Sequence, residues 1–229
     1  MLLKTFLKTI LLFSSLFSFS QNDSFLGIQA GPNLSFIRGN IEANSNNGGV
    51  AFSFGSSYEL FLKDNFSLIA NINYSKNNVR RSFSSIGWLD LTDPTFGNGK
   101  KVVIKNNFKY LDLILLSRIY LGNGNKFFIN TGGFLSKFIN HTEIADGHTN
   151  RTDTNRYFRD FNTGITLGFG TNFQLKNLNK ISLELRANHG FTNISKIQMI
   201  DDGKLKISSL NLIINYSFKL NKNTEGSTK

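Results

Sequence analysis

The sequence predicts an all-β fold, an eight-stranded antiparallel up-and-down transmembrane β-barrel. Three observations lead to it: an N-terminal export signal, period-two alternation of apolar residues in eight segments, and connections that are alternately short and long. A chain of 229 residues with 2 Pro, 20 Gly and 23 Phe suits one large all-β domain, because Pro breaks strand ladders whereas aromatic residues favour strands. Since there are 0 Cys, disulfides, thiolate metal sites and a cysteine nucleophile are excluded.

Residues 1–20 have the pattern of a cleaved secretory signal peptide. The segment begins with the basic stretch MLLKTFLK and continues with the apolar stretch TILLFSSLFSF, and Ser18 and Ser20 are the small residues before a cut that we place after Ser20. The apolar stretch is about a dozen residues long, shorter than the roughly 20 that a membrane-spanning helix needs. We therefore expect an exported chain with its barrel in residues 21–220 and a short polar tail in residues 221–229.

The chain is strongly basic. Its formal net charge of +11 falls to +9 when Lys4 and Lys8 leave with the signal peptide, which contains no Asp or Glu. Such a surface attracts anionic lipid headgroups, lipopolysaccharide or nucleic acid. Nucleic-acid recognition also requires a folded basic platform, and surface loops of an exported protein do not meet nucleic acid. We therefore expect a monomeric barrel with no cofactor and no nucleic-acid partner, surrounded by outer-membrane lipid and lipopolysaccharide, with envelope or secretion proteins as further partners.

Eight segments of the mature chain alternate between apolar and polar residues with period two, as a strand with two different faces does. In the clearest segment, Leu212 and Ile214 share one face and Asn211 and Asn215 share the other. In residues 127–139 both faces contain aromatic residues, so the sequence does not assign the faces there. The predicted strands are residues 26–36, 52–62, 66–75, 108–121, 127–139, 161–173, 181–191 and 207–220.

The direction of the two faces distinguishes a soluble barrel from a membrane barrel. A soluble ligand-binding barrel turns its apolar face inward, whereas an outer-membrane barrel turns it toward lipid. Here the polar face is rich in small residues, Gly, Ser, Asn and Thr, and the apolar face is rich in Phe, Leu and Ile. A narrow eight-stranded lumen accommodates small residues and paired charges, so the bulk of the side chains indicates an apolar outer face. A soluble exported ligand-binding barrel is the less favoured alternative.

The connections between the predicted strands alternate in length. Long connections are predicted at residues 37–50, 77–106, 141–160 and 195–206, and short ones at residues 63–65, 122–126 and 175–180. Outer-membrane barrels have short periplasmic turns and long extracellular loops, and an even number of strands places both termini in the periplasm. The order of connections satisfies both requirements, which favours the membrane barrel.

A set of charged residues on the polar faces is the first candidate site. Successive residues of a strand point to opposite faces, so odd or even position (parity) assigns each side chain to a face, and two basic and three acidic side chains fall on the lumen face. An unpaired charge in the lumen is costly, whereas a paired set can close the pore. We expect these side chains to form a sealing network, and an ion-conducting pathway is the alternative. The predicted lumen charges are Glu59, Asp112, Arg118, Glu184 and Arg186.

The second predicted long loop is the candidate external binding site, because basic residues beside aromatic ones suit lipopolysaccharide phosphates, a polysaccharide or a protein partner. An unengaged loop is the alternative. The residues of this candidate loop are Arg80, Arg81, Trp88, Lys100 and Lys101.

Catalytic and metal-binding patterns are weak. His141 and His148 fall in one predicted loop, and His189 falls near the end of a strand. None of them has the spacing of a paired metal site. A metal site in that loop would also use carboxylates, Glu143, Asp146, Asp153 and Asp160, but a hydrated polar loop is the favoured interpretation of these residues. We therefore expect no metal and no enzymatic activity.

Four segments resemble a known family. These are G-I-Q-A-G-P-N-L-S at residues 27–35, K-Y-L-D-L-I-L-L-S-R-I-Y-L at 109–121, N-T-G-G-F-L at 130–135 and the glycine-rich strand at 164–170. In this order and spacing they are similar to the PorT-type outer-membrane β-barrel family, although Ile114 occupies a place where that family tends to have Pro. The resemblance implies an integral outer-membrane protein. One member of the family serves protein secretion across that membrane.

Two functions from different classes therefore remain. The first is a membrane barrel with a structural, binding or envelope- and secretion-associated role. The second is a small-solute channel, as in porins. The sequence does not identify a ligand for either.

Overall fold

The structure of the protein is a computed structural model, and it describes residues 23–39, 46–84, 101–122, 124–145, 148–150, 155–175, 179–197 and 204–220. The predicted signal peptide, residues 1–20, and the predicted polar tail, residues 221–229, lie outside the described residues. In the part of the chain that is described, no helix is long and apolar enough to cross a membrane.

Nine antiparallel strands make up most of the described chain. They are β1 Ser24–Arg38, β2 Asn46–Lys63, β3 Phe66–Ser84, β4 Lys101–Leu121, β5 Phe127–Ala145, β6 His148–Asn150, β7 Phe161–Gln174, β8 Lys180–Gly190 and β9 Lys206–Lys219. One turn of 3-10 helix, Asn155–Tyr157, lies between β6 and β7.

Eight of these strands close into a barrel. Each strand from β1 to β5 pairs with the next one in sequence, β5 then pairs with β7, and the order continues through β8 and β9. The ring closes because β9 also pairs with β1, from Phe25 opposite Lys219 to Arg38 opposite Lys206. The short β6 pairs with the end of β5 and is not part of the ring. The predicted eight-stranded antiparallel up-and-down barrel is confirmed.

The apolar faces of the strands point outward. Phe52 is 65% exposed and Ile28 is 64% exposed, whereas the polar residues that alternate with the apolar ones along the strands, such as Asn71 and Ser67 on β3, are fully buried. An exposed belt of Phe, Leu and Ile around a buried polar interior is the arrangement of a lipid-facing barrel. In β5, whose faces the sequence does not assign, Phe128 points into the lumen and Phe127 points outward.

Short and long connections lie at opposite ends of the barrel, as predicted. The short ones are the turn at residues 64–65 and the segments 122–126 and 175–179, and they share one end with Ser24 and Lys219. We call this end the turn end. The long connections follow β1, β3, β5 and β8, and the strand ends that they join lie at the opposite end of the barrel, which we call the loop end.

The predicted bounds of the second long loop, residues 77–106, are wrong. Strand β3 continues to Ser84 and β4 begins at Lys101, and the two strands stay paired over this whole length. The alternation of apolar and polar residues stops where the outward residues become polar, and a prediction based on this alternation ends the strands at that point. Backbone hydrogen bonds do not require apolar side chains, so the ladder continues beyond the boundary.

Candidate functional site: a closed barrel lumen

Glu59 on β2 is the centre of a buried ion-pair network near the turn end. Its Oε2 accepts a hydrogen bond from Lys180 Nζ at 2.6 Å and pairs with Arg118 Nη1 at 3.3 Å. Its Oε1 accepts hydrogen bonds from Ser67 Oγ and Tyr120 OH, both at 2.6 Å. Both carboxylate oxygens are therefore engaged, which offsets the cost of burying the charge.

A second carboxylate, Glu184 on β8, extends the network. Arg186 donates to both of its oxygens, from Nε and from Nη2, at 2.7 Å each. Arg118 Nη2 lies 3.7 Å from Glu184 Oε2, and Arg118 Nε donates to Asn130 Oδ1 at 2.8 Å. The Arg118 guanidinium also lies 3.8 Å from the centroid of the Phe128 ring. Arg118 thus bridges the two carboxylates of the network.

These five charged residues form what we call the inner seal. They come from β2, β4 and β8, which are not neighbours around the ring, so the Arg118–Glu59, Arg118–Glu184 and Lys180–Glu59 pairs cross the lumen, whereas Arg186 pairs with Glu184 within β8. Each residue is at most 4% exposed. Three cations and two carboxylates leave a net charge of one positive unit, and charge-assisted, partly bidentate contacts of this kind are the strong hydrogen bonds of proteins. The members of the inner seal are Glu59, Arg118, Lys180, Glu184 and Arg186.

The inner seal lies beneath an open vestibule of about 990 Å³ at the turn end. Lys180 Nζ is 4.2 Å from the centroid of the Phe25 ring and 5.0 Å from that of Phe61. The Phe61 and Tyr120 rings stack with centroids 5.3 Å apart. Ring faces attract cations, so aromatic residues and the Glu59 carboxylate together hold the ammonium group in place.

A small polar cavity lies further along the lumen. Its volume is about 30 Å³, enough for roughly two water molecules. Asp112 and Arg186 both line it, and Asp112 forms hydrogen bonds with Ser75 and Ser136. Among the described residues, no partner lies within ion-pair distance of Asp112. Beyond the inner seal the lumen therefore contains a small polar cavity and not a wide pore.

The second closure is an apolar cluster at the loop end. Four fully or nearly fully buried side chains form its centre, and Phe158 packs against them. The Phe108 and Phe158 rings meet edge to face with centroids 5.0 Å apart. We call this cluster the outer plug. Its members are Phe108, Tyr110, Phe158, Ile194 and Ile207.

Two long loops supply part of the outer plug. Phe158 comes from the connection before β7, and Ile194 comes from the connection between β8 and β9. Backbone hydrogen bonds join the two loops, from Arg159 N to Ile194 O and from Lys196 N to Tyr157 O, both at 2.8 Å. The loops therefore fold back into the mouth of the barrel as one unit.

The structure brings together four of the five predicted lumen charges. Glu59, Arg118, Glu184 and Arg186 are joined through ion pairs, while Asp112 lies apart beside the polar cavity. Sequence reasoning missed Lys180, because the predicted strand began one residue later. The signal was present, since Lys180 has the same parity as Glu184 and Arg186.

Sequence reasoning also missed the outer plug. Phe158 and Ile194 lie in connections without alternation, so no local pattern indicated that they enter the lumen. Their position depends on contacts between segments far apart in the chain.

The predicted external loop is not a loop over much of its length. Arg80 and Arg81 lie on β3, and Lys101 is the first residue of β4. This corrects their placement, and the reason is the continued β3–β4 pairing described above. Trp88 and Lys100 lie outside the described residues.

His141 and His189 lie on different strands, and the backbone of His148 belongs to β6. His141 is buried on β5, where its ring packs 4.6 Å from the Phe108 ring, and His189 is on the outer face of β8. No group of three or more His, Cys, Asp or Glu that could hold a metal ion was found among the described residues. Asp146 and Asp153 lie outside them.

An apolar outer belt, a buried polar lumen and connections segregated by length define an integral outer-membrane β-barrel protein. The chain belongs to the family of the outer membrane protein beta-barrel domain, whose model matches residues 19–196. It is therefore an integral protein of the outer membrane. In barrels of this class the turn end is periplasmic and the loop end is extracellular.

A comparison with curated proteins found no match. The chain is similar in fold to Ail, the attachment invasion locus protein of Yersinia pestis, solved in complex with the heparin analogue sucrose octasulfate, with 14% identity, TM-score 0.40, and 86% of this chain and 99% of that chain covered. It is similar to OprG from Pseudomonas aeruginosa, with 12% identity, TM-score 0.43 and coverage of 86% and 97%. It is also similar to Neisserial surface protein A, with 14% identity, TM-score 0.41 and coverage of 85% and 96%.

Proposed function

We propose that this protein is a closed, monomeric outer-membrane barrel that acts through its outer surface and does not conduct solutes. The observation that carries the proposal is that the lumen is blocked twice, by the inner seal at the periplasmic end and by the outer plug at the extracellular end. The two closures differ in chemistry, one ionic and one apolar, so a change in salt or pH does not act on both in the same way.

The energetics support a permanent closure. Opening the inner seal would break charge-assisted hydrogen bonds between buried ions, each of which contributes about 1.5–3 kcal/mol. Opening the outer plug would expose the fully buried Ile194 side chain to water, at about 1.5–3 kcal/mol, and the partly buried Phe158 ring at a smaller cost. A conducting state would need both openings at once.

We also propose that the protein has no catalytic activity. A hydrolytic triad requires a histidine beside a nucleophile and a carboxylate. His141 is buried with its ring against Phe158 and its Nε2 in a hydrogen bond with Asn106, and His189 faces outward, away from the lumen carboxylates. Neither position suits a rim active site.

Outer-membrane lipid, including lipopolysaccharide, is the partner that the proposal assigns to the outer surface. The resemblance to the PorT-type family is consistent with an envelope-associated role. We adopt from it the architecture alone and leave the secretion role of one of its members outside the proposal.

Conductance across planar lipid bilayers tests the closed lumen. The wild-type protein is expected to give no steady open channels. A variant that loses both closures, Glu59→Ser, Arg118→Ser and Lys180→Ser together with Phe158→Ser and Ile194→Ser, is expected to give open channels. Steady wild-type channels would instead favour the alternative of a small-solute channel.

Two further variants, each of which removes only one of the two closures, test whether either closure alone blocks the lumen. One carries the three inner substitutions alone and the other carries the two outer substitutions alone. Each is expected to stay closed because the second closure remains. Folding of every variant is checked first by heat-modifiable migration in gels, so that an unfolded sample is not scored as a closed one.

A further inference from the structure

Four cations lie on the outward face of β3 and β4, immediately beyond the lipid-facing belt. In the strand register Lys76 is directly opposite Lys109, and Arg80 is directly opposite Lys105, with one Asn–Asn pair between these two pairs. The residues between them along the strands, such as Asn77, are buried, so the cations are on the outer face. We call this set the basic ladder. Its members are Lys76, Arg80, Lys105 and Lys109.

The apolar belt fixes the depth of the basic ladder. On β4 the outward apolar residues run from Leu121 to Leu111. At about 3.4 Å per residue and a strand tilt of about 40°, this run covers about 25 Å along the membrane normal, the usual height of the apolar band. Lys109 is the next outward residue. The basic ladder therefore begins where the extracellular leaflet changes from acyl chains to headgroups.

Aromatic residues mark the same boundary. Phe54 on β2 and Tyr74 on β3 face each other with ring centroids 5.4 Å apart. Tyr74 lies opposite Leu111 in the register, one rung below the Lys76–Lys109 pair. Aromatic side chains of membrane barrels concentrate at the headgroup level.

The basic ladder lacks compensation within the described chain. Like charges directly opposite each other on neighbouring strands are destabilising, and this face carries two such pairs, separated by the Asn78–Asn107 pair. Among the described residues, none forms an ion pair with any of the four cations. Lys137, exposed on β5 opposite Leu111, adds a fifth cation beside them. An external anion would remove this repulsion.

We propose that the basic ladder binds the phosphate groups of a phosphorylated glycolipid of the outer leaflet, of the lipid A type. The phosphates would lie between the opposing cations while the acyl chains pack on the belt below, on Ile72 and Leu113. This inference deepens the lipid contact of the proposed function, and it holds whether or not the lumen conducts.

The position of the basic ladder favours a lipid over a soluble anion. Exposed apolar residues continue directly below it, Ile72 at 54% and Leu113 at 41%. A ligand with both phosphates and acyl chains fits both surfaces, whereas a free phosphate fits the ladder alone.

Native mass spectrometry of the detergent-solubilised barrel tests the proposal with three probes: bisphosphorylated lipid A, the same lipid without its phosphates, and inorganic phosphate. Three double variants each remove two positive charges. K76Q/K109Q and R80Q/K105Q change the basic ladder, and K63Q/K126Q is the matched control at the periplasmic mouth. All three are checked for folding by heat-modifiable migration.

We expect bisphosphorylated lipid A to bind the wild-type protein and to bind each ladder variant about tenfold or more weakly. The control variant should bind as the wild-type protein does. Equal weakening in the control variant would overturn the proposal, because total charge would then explain binding, and so would equal binding of the dephosphorylated lipid. Inorganic phosphate that binds the ladder as tightly as the lipid would also overturn it, in favour of a soluble anion. A non-conducting barrel that fails these tests would leave the closed-lumen proposal intact.

Discussion

Lys180 Nζ lies 2.6 Å from Glu59 Oε2 although 121 residues separate the two in the chain. The contact joins β8 to β2 across the lumen, and neither strand is a neighbour of the other in the ring. It therefore supports the barrel from inside, independently of the backbone ladder. The inner seal therefore both closes the lumen and stabilises the barrel by linking strands that are not adjacent.

Replacing Glu59 with Gln is expected to lower the free energy of unfolding by about 3–5 kcal/mol, because it leaves buried cations without their carboxylate. Urea titration in detergent, with the folded fraction read from gel mobility, measures this loss. The matched control is Asp160→Asn, since the Asp160–Lys196 pair is exposed, at 71% and 45%. Exposed pairs contribute less than about 1 kcal/mol. Equal losses in both variants would contradict the bracing role.

Replacing Lys180 with Met is expected to be milder than Glu59→Gln. The Glu59 carboxylate keeps Arg118, Tyr120 and Ser67, and the seal loses its excess positive charge. A loss of about 1–3 kcal/mol fits a single charged hydrogen bond. Combining both substitutions should cost less than the sum of the two, with a coupling of about 0.5–3 kcal/mol in a double-mutant cycle. Lys126→Met, at the same mouth but exposed, is the control, and strict additivity would argue against a direct interaction.

The sequence predicts the barrel, its faces and most of the lumen charges because all three depend on period two. Leu111 and Arg118 differ in parity, and this alone places one toward lipid and the other inside. Lys180 is missed because a strand boundary predicted one residue late removes it from the pattern. Phe158 and Ile194 are missed for a different reason, since the folding of loops into the mouth depends on packing between distant segments, which has no periodic signal.

Gly168 on β7 provides space for the inner seal. A Cβ at this position would collide with Oε1 of Glu184, whose carboxylate Arg186 holds through one hydrogen bond to each oxygen. Gly168→Ala is therefore expected to displace the carboxylate and to cost about 1–3 kcal/mol, as overpacking does. Gly133→Ala is the control, because the nearest atom to its Cβ would be Gly164 O at 3.5 Å. If thermal unfolding in detergent shows no difference between the two variants, the Glu184 carboxylate can move aside without cost, which would contradict a rigid inner seal.

Replacing Lys109 with Glu is expected to stabilise the protein in detergent without lipid. The substitution places a carboxylate opposite Lys76 on the outer face, so a repulsive cross-strand pair becomes an attractive one, with a gain of about 1 kcal/mol. Lys109→Gln removes the repulsion alone and should give about half of this gain. Adding bisphosphorylated lipid A should reverse the order, because the wild-type protein gains stability from the bound phosphates and the Glu variant does not. Melting temperatures of the three proteins with and without this lipid measure both effects. A Glu variant less stable than the wild-type protein without lipid would mean that the opposing cations do not repel each other, and the reason for expecting an anion between them would be lost.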